Sequence, residues 1–556
     1  MRAVAALCIL LFAGLLLLPG LERMRAFENT DARYLEISRA MLESGDWLVP
    51  RLAGEAHLDK PPLTYWAAAA GYRLLGVNPF AGRLLSNLAL ALTALLVFVA
   101  GRRWCGDRGA WLAALLLLTS GLVFVTARGL QTDLFQLLLF TAAMLAFGAG
   151  AEKPGRPACV VLALALLGIS MNVKGPIALL VALFVWLPFL ALSRARARVP
   201  ARAWLGGAVL FVLFGAPWYV LLAVHDPAVL REWLDVQLLG RITGDVRGVY
   251  HIHVPFYLLG VWPLGLLPWT PLVALALWRL RPPEGWRSGE PPDLYLVLWA
   301  ILPVLFFSLP RSQSAQYLLP AVPAAALAVG RTLERGGLAD LPARRALLAS
   351  GCLAAALASV IAFGLLVPEW LGSQKIETHR LVARLPFAAT LFGVAGALLW
   401  FSARLPRGNP TRALASLTCG AGLVLALAFN ALAPGLQSFE PEGRLASSVP
   451  GAALLQYGVW RPSALYYFGD VERFAFIPRP RPGTPASEPV VDPGWEALIA
   501  RLRGHDPVFC LTKERYAEAL MRASGARLVS QRPKLVLLAN RAAHDVVARR
   551  RVRGAH

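Results

Sequence analysis

Long apolar blocks separated by short polar segments dominate this chain of 556 residues. A helix needs about 20 mostly apolar residues to cross the hydrocarbon core of a bilayer, and most blocks approach that length. The chain lacks the ten-residue alternating segments that are typical of a transmembrane β-barrel. We therefore predict an all-α polytopic membrane protein with about thirteen spans. The predicted spans are residues 3–21, 84–101, 110–126, 131–149, 158–171, 176–193, 203–223, 254–278, 292–309, 316–330, 346–366, 387–403 and 413–433.

Composition supports this class. The chain is 57% hydrophobic with a mean hydropathy of +0.56, and 16% of its residues are charged, against about 25% in soluble domains. The net charge of +22 comes mostly from arginines in short loops between spans, so a nucleic-acid-binding protein is excluded. Six scattered cysteines without a CxxC motif indicate neither a disulfide framework nor a zinc site. No small-residue cleavage site follows the first block, which we interpret as an uncleaved signal anchor.

The basic residues of the loops predict an orientation. Loops on one side of the predicted bundle carry two to four Arg or Lys each, whereas the short loops on the other side carry one apiece. Under the positive-inside rule the N-terminus is then cytoplasmic. Residues 22–83, 224–253 and everything after 434 are expected outside the cytoplasm.

Residues 434–556 differ from the rest. A strand-like piece at 507–512 is followed by a helix-like piece at 513–525 and by strand-like pieces at 526–530 and 534–540. This alternation predicts a small extracytoplasmic α/β domain. We predict two domains, a transmembrane catalytic domain over 1–433 and this domain over 434–556.

The stretch FENTDARYLEISRAMLESGDW, residues 27–47, is rich in charge for this chain. Its helical spacing gives an apolar face and predicts a helix lying on the outer membrane surface. The apolar face comprises Tyr34, Ile37 and Met41. Glu36, Arg39 and Glu43 are predicted to form a solvated face.

Asp31 precedes the apolar face of that helix, where it serves either chemistry or N-capping. Lys60, in HLDKPPLTYW, precedes two prolines, which keep its backbone extended. Tyr65 and Trp66, at the end of the same run, suit the headgroup level. A lysine held at the membrane boundary suits a lipid phosphate, although a snorkelling lysine is the alternative.

Three more ionisable residues lie at the predicted outer ends of spans or surface helices: Asp133, Lys174 and Arg241. Such groups are costly when they face lipid, so they normally face a cavity. Cations and carboxylates that converge near the outer leaflet suit an anionic lipid. Lys and Arg would bind its phosphate, and a carboxylate would assist chemistry on its headgroup.

These motifs resemble those of the GT-C glycosyltransferases that use lipid-linked sugars, especially the aminoarabinose transferases that modify lipid A, and more distantly the protein O-mannosyltransferases. The resemblance is strongest before about residue 330. The matching motifs are TDARYLEI and SGDW near the N-terminus, Asp59-Lys60-Pro61, Thr132-Asp133-Leu134-Phe135, Lys174-Gly175 and the Ser312–Tyr317 segment SQSAQY.

The resemblance implies an enzyme of the bacterial inner membrane that moves a sugar from a polyprenyl phosphate, such as undecaprenyl phosphate, to an acceptor such as lipid A at the periplasmic face. It implies about 13 transmembrane helices with juxtamembrane helices on the outer face. No cofactor is required, and nothing in the sequence indicates a divalent cation. An acidic residue before Arg33, here Asp31, would take the acceptor proton. The implied substrate-binding residues are Lys60, Arg33 and Arg241 for the phosphate, with Tyr34, Tyr65, Lys174 and Tyr317.

Two departures from the family pattern keep alternatives open. Thr30 stands at the family's first acidic position, so either Asp31 or Asp133 is the base, or activity is lost. Gln237 and Gln313 stand where relatives have Glu and Lys, which weakens the prediction of an aminoarabinose acceptor site more than that of glycosyl transfer. The alternatives are a protein O-glycosyltransferase, a transporter or flippase for lipid-linked sugars, and a structural protein with a vestigial site.

Overall fold

The computed structural model describes most of the chain and divides it into two compact units. The first, here called the membrane unit, comprises residues 1–23, 44–50 and 57–434, and the second unit comprises residues 24–43, 51–56 and 435–556. The described residues are 2–22, 30–52, 54–152, 156–193, 199–225, 227, 256–280, 291–310, 313–336, 340–366, 386, 388–391, 393–395, 397, 410–437, 452–457, 466, 474–477, 493–532 and 535–545.

The described part of the membrane unit is helical. Its helices are α1 (Arg2–Leu17), α3 (Leu63–Leu75), α4 (Pro79–Leu118), α5 (Gly121–Thr126), α6 (Thr132–Ala151), α7 (Pro157–Lys174), α8 (Ile177–Leu192), α9 (Ala201–Gly215), α10 (Pro217–His225), α11 (Tyr257–Gly265), α12 (Thr270–Arg279), α13 (Pro291–Ser308), a 3₁₀ helix (Ala315–Ala321), α14 (Val322–Glu334), α15 (Leu341–Leu366) and α16 (Pro410–Gln437). Between the N-terminal helix and α3, α2 (Thr30–Ser44) belongs almost wholly to the second unit.

Five helices of the described part are long and apolar enough to cross a membrane, or up to seven if each of two bent helix pairs is one span. Apolar helical blocks are therefore confirmed, and two of the predicted spans are each broken into a bent pair of helices. The block 203–223 bends by 42° between α9 and α10, and the block 254–278 bends by 107° between α11 and α12. Proline explains both breaks, because it lacks the backbone donor that continues a helix. Pro217 begins α10, and Pro268 lies between α11 and α12.

Two other predicted boundaries shift for local reasons. The gap expected between spans 84–101 and 110–126 shrinks to a tight kink at Gly106, whose φ of 63° suits glycine. The following helical segment ends at Leu118, and α5 is separate. The block 316–330 starts with 3₁₀ rather than α geometry. The predicted span 387–403 lies largely outside the described residues.

The core of the membrane unit is built on helix pairs that include α4 with α14, α6 with α7, and α4 with α6. Gly109 and Gly330 allow α4 and α14 to touch closely, since a Cβ on either would lie 2.4 Å from the other's carbonyl oxygen. The antiparallel α6 and α7 define two ends. We call the end where α6 begins and α7 finishes the Lys174 end, and the opposite end, where α4 kinks, the Gly106 end.

The second unit holds α2 and a five-stranded sheet. The sheet elements are β3 (Ala453–Tyr457), β4 (Phe474–Ile477), β5 (Val508–Thr512), β6 (Arg527–Arg532) and β7 (Leu535–Ala539). The strand order is β4-β3-β5-β7-β6, with β3 parallel to both neighbours and β7 antiparallel to both of its own. Two helices, α17 (Pro493–Arg503) and α18 (Glu514–Ser524), pack on one face. The predicted α/β character and its strand–helix–strand order are confirmed. Outside the sheet, β1 (Arg51–Leu52) and β2 (Glu55–Ala56) form a short hairpin.

The helix predicted near the N-terminus is confirmed as α2, and its apolar face is buried as expected. The prediction of a solvated charged face is wrong for two of its three residues. Glu36 is 2% exposed and Arg39 is 7% exposed, and their side chains pair at 2.7 Å. Mutual neutralisation at i, i+3 makes this burial tolerable. Glu43 remains exposed and also pairs with Arg39, at 2.7 Å.

Candidate active site

The Lys174 end of the membrane unit contains a buried ion pair between two residues predicted from span ends. Lys174 Nζ lies 2.6 Å from Asp133 Oδ1, and the two side chains are only 14% and 13% exposed. Asp133 is in the first turn of α6 and Lys174 in the last turn of α7. Each charge is therefore at the helix end whose dipole favours it. Packing of the antiparallel helices brings together residues that are 41 positions apart.

Tyr317 completes this cluster. Lys174 Nζ lies 4.7 Å from the centre of the Tyr317 ring, within the range of a cation–π contact. The 3₁₀ helix that carries Tyr317 packs on α6, and Phe307 contacts the same ring at 5.2 Å. The structure thus brings together Asp133, Lys174 and Tyr317, which come from three separate motifs.

A second polar layer, which sequence reasoning missed, lies one helical turn deeper. Ser170 Oγ donates to Gln136 Oε1 at 3.0 Å, and both side chains are buried. Gln136 follows Asp133 by three residues and Ser170 precedes Lys174 by four, so both share a helix face with the ion pair. This helical spacing from Asp133 and Lys174 was the feature of the sequence from which the layer could have been predicted. Beneath the ion pair, this layer therefore consists of two neutral groups joined by a hydrogen bond.

Lys60 lies at the same end. Leu58, two residues before it, and Tyr219 on α10 pack against the same small apolar cluster. The Tyr219 hydroxyl donates to Met171 O at 2.9 Å, one turn from Lys174. Lys60 Nζ donates to Asp59 O at 2.8 Å, and the side chain is half-buried. Tyr65 is fully buried in α3.

Gln313, which stands where the family pattern has lysine, is a structural residue here. It is 0% exposed, and its amide nitrogen donates to Ser308 O at 3.0 Å and Pro310 O at 2.7 Å. Its amide oxygen accepts from the Leu258 backbone at 3.3 Å. The side chain therefore fastens the turn after α13 to α11.

The remaining predicted residues lie on α2 or outside the described residues. Asp31 is in the first turn of α2 and is 4% exposed, inside the helix rather than at its cap. The Arg33 guanidinium lies 5.7 Å from the ring centre of Tyr34, which is 2% exposed. Nearby on this helix, burial raises the pKa of the Glu36 carboxyl, against the opposing effect of Arg39. Arg241 and Gln237 lie outside the described residues.

The cluster at the Lys174 end can bind an anion. A lysine ammonium has three N–H donors. Within the described residues, the Lys174 ammonium donates one hydrogen bond, to Asp133. Two donors are left, next to the aromatic ring of Tyr317. In the described residues, no group of three or more His, Cys, Asp and Glu side chains could hold a metal ion.

Comparison with known proteins gives concordant matches. Residues 59–220 match the family model of dolichyl-phosphate-mannose-protein mannosyltransferases. The chain is 30% identical to the undecaprenyl phosphate-alpha-4-amino-4-deoxy-L-arabinose arabinosyl transferase of Edwardsiella ictaluri over 451 residues, which is 78% of this chain and 77% of that protein. It is also 30% identical to the enzyme of the same name from Erwinia tasmaniensis, over 76% and 75% of the two chains.

Among solved structures, the fold matches that of ArnT from Cupriavidus metallidurans bound to undecaprenyl phosphate. The TM-score is 0.76 at 21% sequence identity, and the match covers 97% of this chain and 98% of that one. The apo structure of the same protein matches with a TM-score of 0.74. The GT-C fold predicted from the sequence is therefore confirmed. By its sequence relatives and its fold, this multi-pass membrane protein belongs to the family of undecaprenyl phosphate-aminoarabinose arabinosyl transferases, which are glycosyltransferases.

Proposed function

We propose that this enzyme transfers a sugar, of the aminoarabinose type, from undecaprenyl phosphate to an envelope acceptor such as lipid A. The observation that carries the proposal is the buried Asp133–Lys174 pair, which leaves lysine donors for a ligand phosphate in a chain of this family. The names of the relatives supply the donor lipid and the sugar.

The cations at the Lys174 end would stabilise the leaving phosphate. Negative charge on the phosphate grows as the bond from the anomeric carbon to the phosphate oxygen breaks, and preorganised donors are most effective against such developing charge. Lys60 and Lys174 supply them. Asp133 acts here as a positioning residue, because its 2.6 Å contact holds Lys174 in place.

The role of base stays with Asp31, the acidic residue before Arg33 that the family resemblance implies. In the proposed step, the acceptor oxygen attacks the anomeric carbon and its proton passes to the Asp31 carboxylate. The bond between the sugar and the phosphate breaks, and undecaprenyl phosphate leaves with the electron pair. Arg33 and Arg241 keep their predicted role in phosphate binding, and Tyr34, Tyr65 and Tyr317 their predicted role in lining the substrate site.

The positive-inside pattern supports an inner-membrane orientation with a cytoplasmic N-terminus. The Gly106 end, rich in arginine, then faces the cytoplasm, and the Lys174 end faces the periplasm. The division into a catalytic domain over 1–433 and a periplasmic domain over 434–556 is part of the same proposal.

A protein acceptor is the second candidate, because the family model matched by residues 59–220 describes transfer to protein. The acceptor would then be a serine or threonine hydroxyl. The donor side of the proposed mechanism would stay unchanged.

Mass spectrometry of envelope lipids and glycoproteins tests both candidates. Cells that lack the protein are compared with cells restored by wild type, by Lys60→Ala or by Asp31→Asn. We expect one pentose-type mass on a lipid to disappear on deletion and to return only with wild type. A mass change on proteins alone would establish the second candidate. An unchanged profile in all strains would contradict glycosyl transfer and favour transport.

A further inference from the structure

At the Gly106 end, far from the proposed active site, α4, α6 and α7 line an open cavity of about 690 Å³ together with Arg2 at the start of α1. This volume lies within the range of roughly 300–1,000 Å³ that is usual for small-molecule sites. Along α6, Asp133 and the cavity residue Ala149 are sixteen positions apart, which corresponds to about 24 Å. The cavity is therefore separate from the Asp133–Lys174 pair.

One end of the cavity is cationic. Arg2, Arg102 and Arg103 line it, with Asp107 as the acidic residue among the lining side chains. Asp107 pairs with Arg102 at 3.0 Å and more loosely with Arg2 at 3.4 Å. Three guanidinium groups thus line the cavity against one carboxylate, while Glu334 contacts Gly106 and Glu152 lies near Arg103 outside the lining.

Arg103 has a weak ion pair with Glu152, which does not line the cavity. Arg103 Nε lies 3.8 Å from Glu152 Oε2, beyond hydrogen-bonding distance. The Arg102 and Arg103 side chains are 25% and 28% exposed. Both side chains are accessible to a ligand. Because they are partly buried, salt screens their attraction to an anionic ligand less than it would at a fully exposed site.

The rest of the cavity is apolar and formed by small residues. Ala142, Ala146 and Ala149 follow one another at i, i+4 and i+7 along α6, so one helix face leaves room where larger side chains would fill it. Leu96 on α4 and Leu162 on α7 form opposite walls, and Leu162 is 52% exposed. The groove runs about 10 Å along α4, from Leu96 to the arginines.

A charged end joined to an apolar groove has the shape and chemistry of a lipid headgroup followed by an acyl chain. Basic pockets between transmembrane helices are a known means of binding anionic headgroups. Arginine suits a phosphate because its planar group can donate two parallel hydrogen bonds. Snorkelling alone explains arginines at a helix end, but it explains neither the alanine row nor the cavity that this row creates.

We propose that this cavity binds one anionic glycerophospholipid from the leaflet at the Gly106 end, with its phosphate between Arg102 and Arg103 and one acyl chain along the alanine row. The bound lipid would contact α4, α6 and α7 together, and thus support the two helices whose far ends hold Asp133 and Lys174. This site is independent of the proposed glycosyl transfer.

Native mass spectrometry of the purified full-length chain tests the proposal. After delipidation the protein is titrated with phosphatidylglycerol, with phosphatidylethanolamine and with undecaprenyl phosphate. Wild type should bind one phosphatidylglycerol in preference to phosphatidylethanolamine. The double variant Arg102→Gln/Arg103→Gln should bind it roughly 30-fold more weakly, since each arginine near a lipid anion contributes about fivefold. Ala146→Phe should abolish binding by filling the groove.

Two variants serve as controls. Arg108→Gln removes an exposed arginine just beyond the kink at Gly106 that does not line the cavity, and Val209→Phe adds bulk at an exposed position of α9. Both should bind like wild type. Size-exclusion profiles test whether each variant is folded. If Ala146→Phe does not fold, the double variant Arg102→Gln/Arg103→Gln still tests the proposal.

Equal phosphatidylglycerol binding by wild type and the double variant would overturn the proposal. If wild type bound phosphatidylethanolamine as tightly as phosphatidylglycerol, the proposed preference for an anionic headgroup would be wrong. Loss of undecaprenyl phosphate binding alone in the cavity variants would instead identify a second prenyl phosphate site and also overturn the assignment.

Discussion

The two ends of the membrane unit bury charge in different ways. At the Gly106 end, Asp293 is 6% exposed and accepts from Arg331 at 3.1 Å and from Arg335 at 2.6 Å. Arg331 also donates to Trp104 O at 2.6 Å, which ties α13 and α14 to α4. At the Lys174 end, Lys174 has a single carboxylate partner in the described residues and two N–H donors left over. The first arrangement is closed, and the second is open to a ligand.

This difference separates structural charges from functional ones better than burial does. A buried charge whose hydrogen-bonding groups are all satisfied by protein holds helices together. A buried charge that keeps donors is tolerated because function requires it. Substitutions at the two ends should therefore affect different measurements.

The largest effect is expected on transfer activity from Lys174→Met. Loss of one preorganised donor to a developing anion costs about 10²–10³-fold in rate. Turnover of undecaprenyl-phosphate-linked sugar by purified protein is the measurement. The double variant Lys174→Met/Asp133→Asn removes the unpaired carboxylate and should recover thermal stability without recovering turnover. Recovery of both would make the pair structural and erase the difference between the ends.

The next largest effect is expected on stability from Asp293→Ala. Removing one partner of a buried charge network costs about 3–5 kcal/mol, because the cations are left without compensation. The fraction of protein that stays monodisperse after heating should fall sharply, whereas turnover per folded molecule should stay near wild type. Asp340→Ala is the control, since Asp340 contacts Arg279 but is 53% exposed. Lower turnover per folded Asp293→Ala molecule would show that the Asp293 network also serves the reaction.

A smaller effect is expected from Ser170→Ala in the layer beneath the ion pair. The substitution leaves the buried Gln136 amide oxygen without its donor, which costs about 1–3 kcal/mol. Turnover should fall by less than in Lys174→Met, because neither charge is removed. Thermal unfolding of Ser170→Ala and of Ser170→Ala/Gln136→Leu measures this, and the double variant should recover part of the loss. Full loss of turnover in Ser170→Ala would place this layer in the reaction itself.

The smallest effect on stability at neutral pH is expected from the Cys510 thiol, which is buried and uncharged at that pH. Burial in the sheet of the second unit raises the pKa of the Cys510 thiol from 9.0 to about 12. Between those values the unfolded chain loses the proton and the folded chain keeps it, so the contribution of this group to stability declines as pH rises above about 9. Peptide mapping after maleimide treatment at pH 8 should find Cys510 unmodified in the native full-length protein and modified after denaturation. Fast native labelling would contradict the burial.

Much of the fold follows from the sequence, because an apolar block long enough to cross a bilayer has few alternatives to a helix. The bends after Gly215 and Gly265 were missed because length alone was counted, although Pro217 and Pro268 lie at the breaks. The burial of Glu36 and Arg39 was not predictable, since one helix does not reveal what covers its polar face.

The site was predicted as single residues and not as contacts. Asp133 and Lys174 stood out as ionisable groups at span ends, but their pairing depends on how α6 packs on α7. Gln313 shows the opposite limit. Glutamine in place of the motif's lysine only weakened the prediction of an aminoarabinose acceptor site, whereas the structure shows that all of its amide groups fasten backbone.

The contact between Gly109 and Gly330 has a mechanical consequence. Backbones in such close contact cannot slide past each other, so the crossing fixes the axial position of α14 against α4. Tyr317 lies in the 3₁₀ helix that leads into α14 and is thirteen residues before Gly330. The contact between the two glycines therefore fixes the position of the Tyr317 ring along the helix axis, beside Lys174. A slip of one helical turn would move that ring by about 5.4 Å, farther than its present distance from the ammonium group.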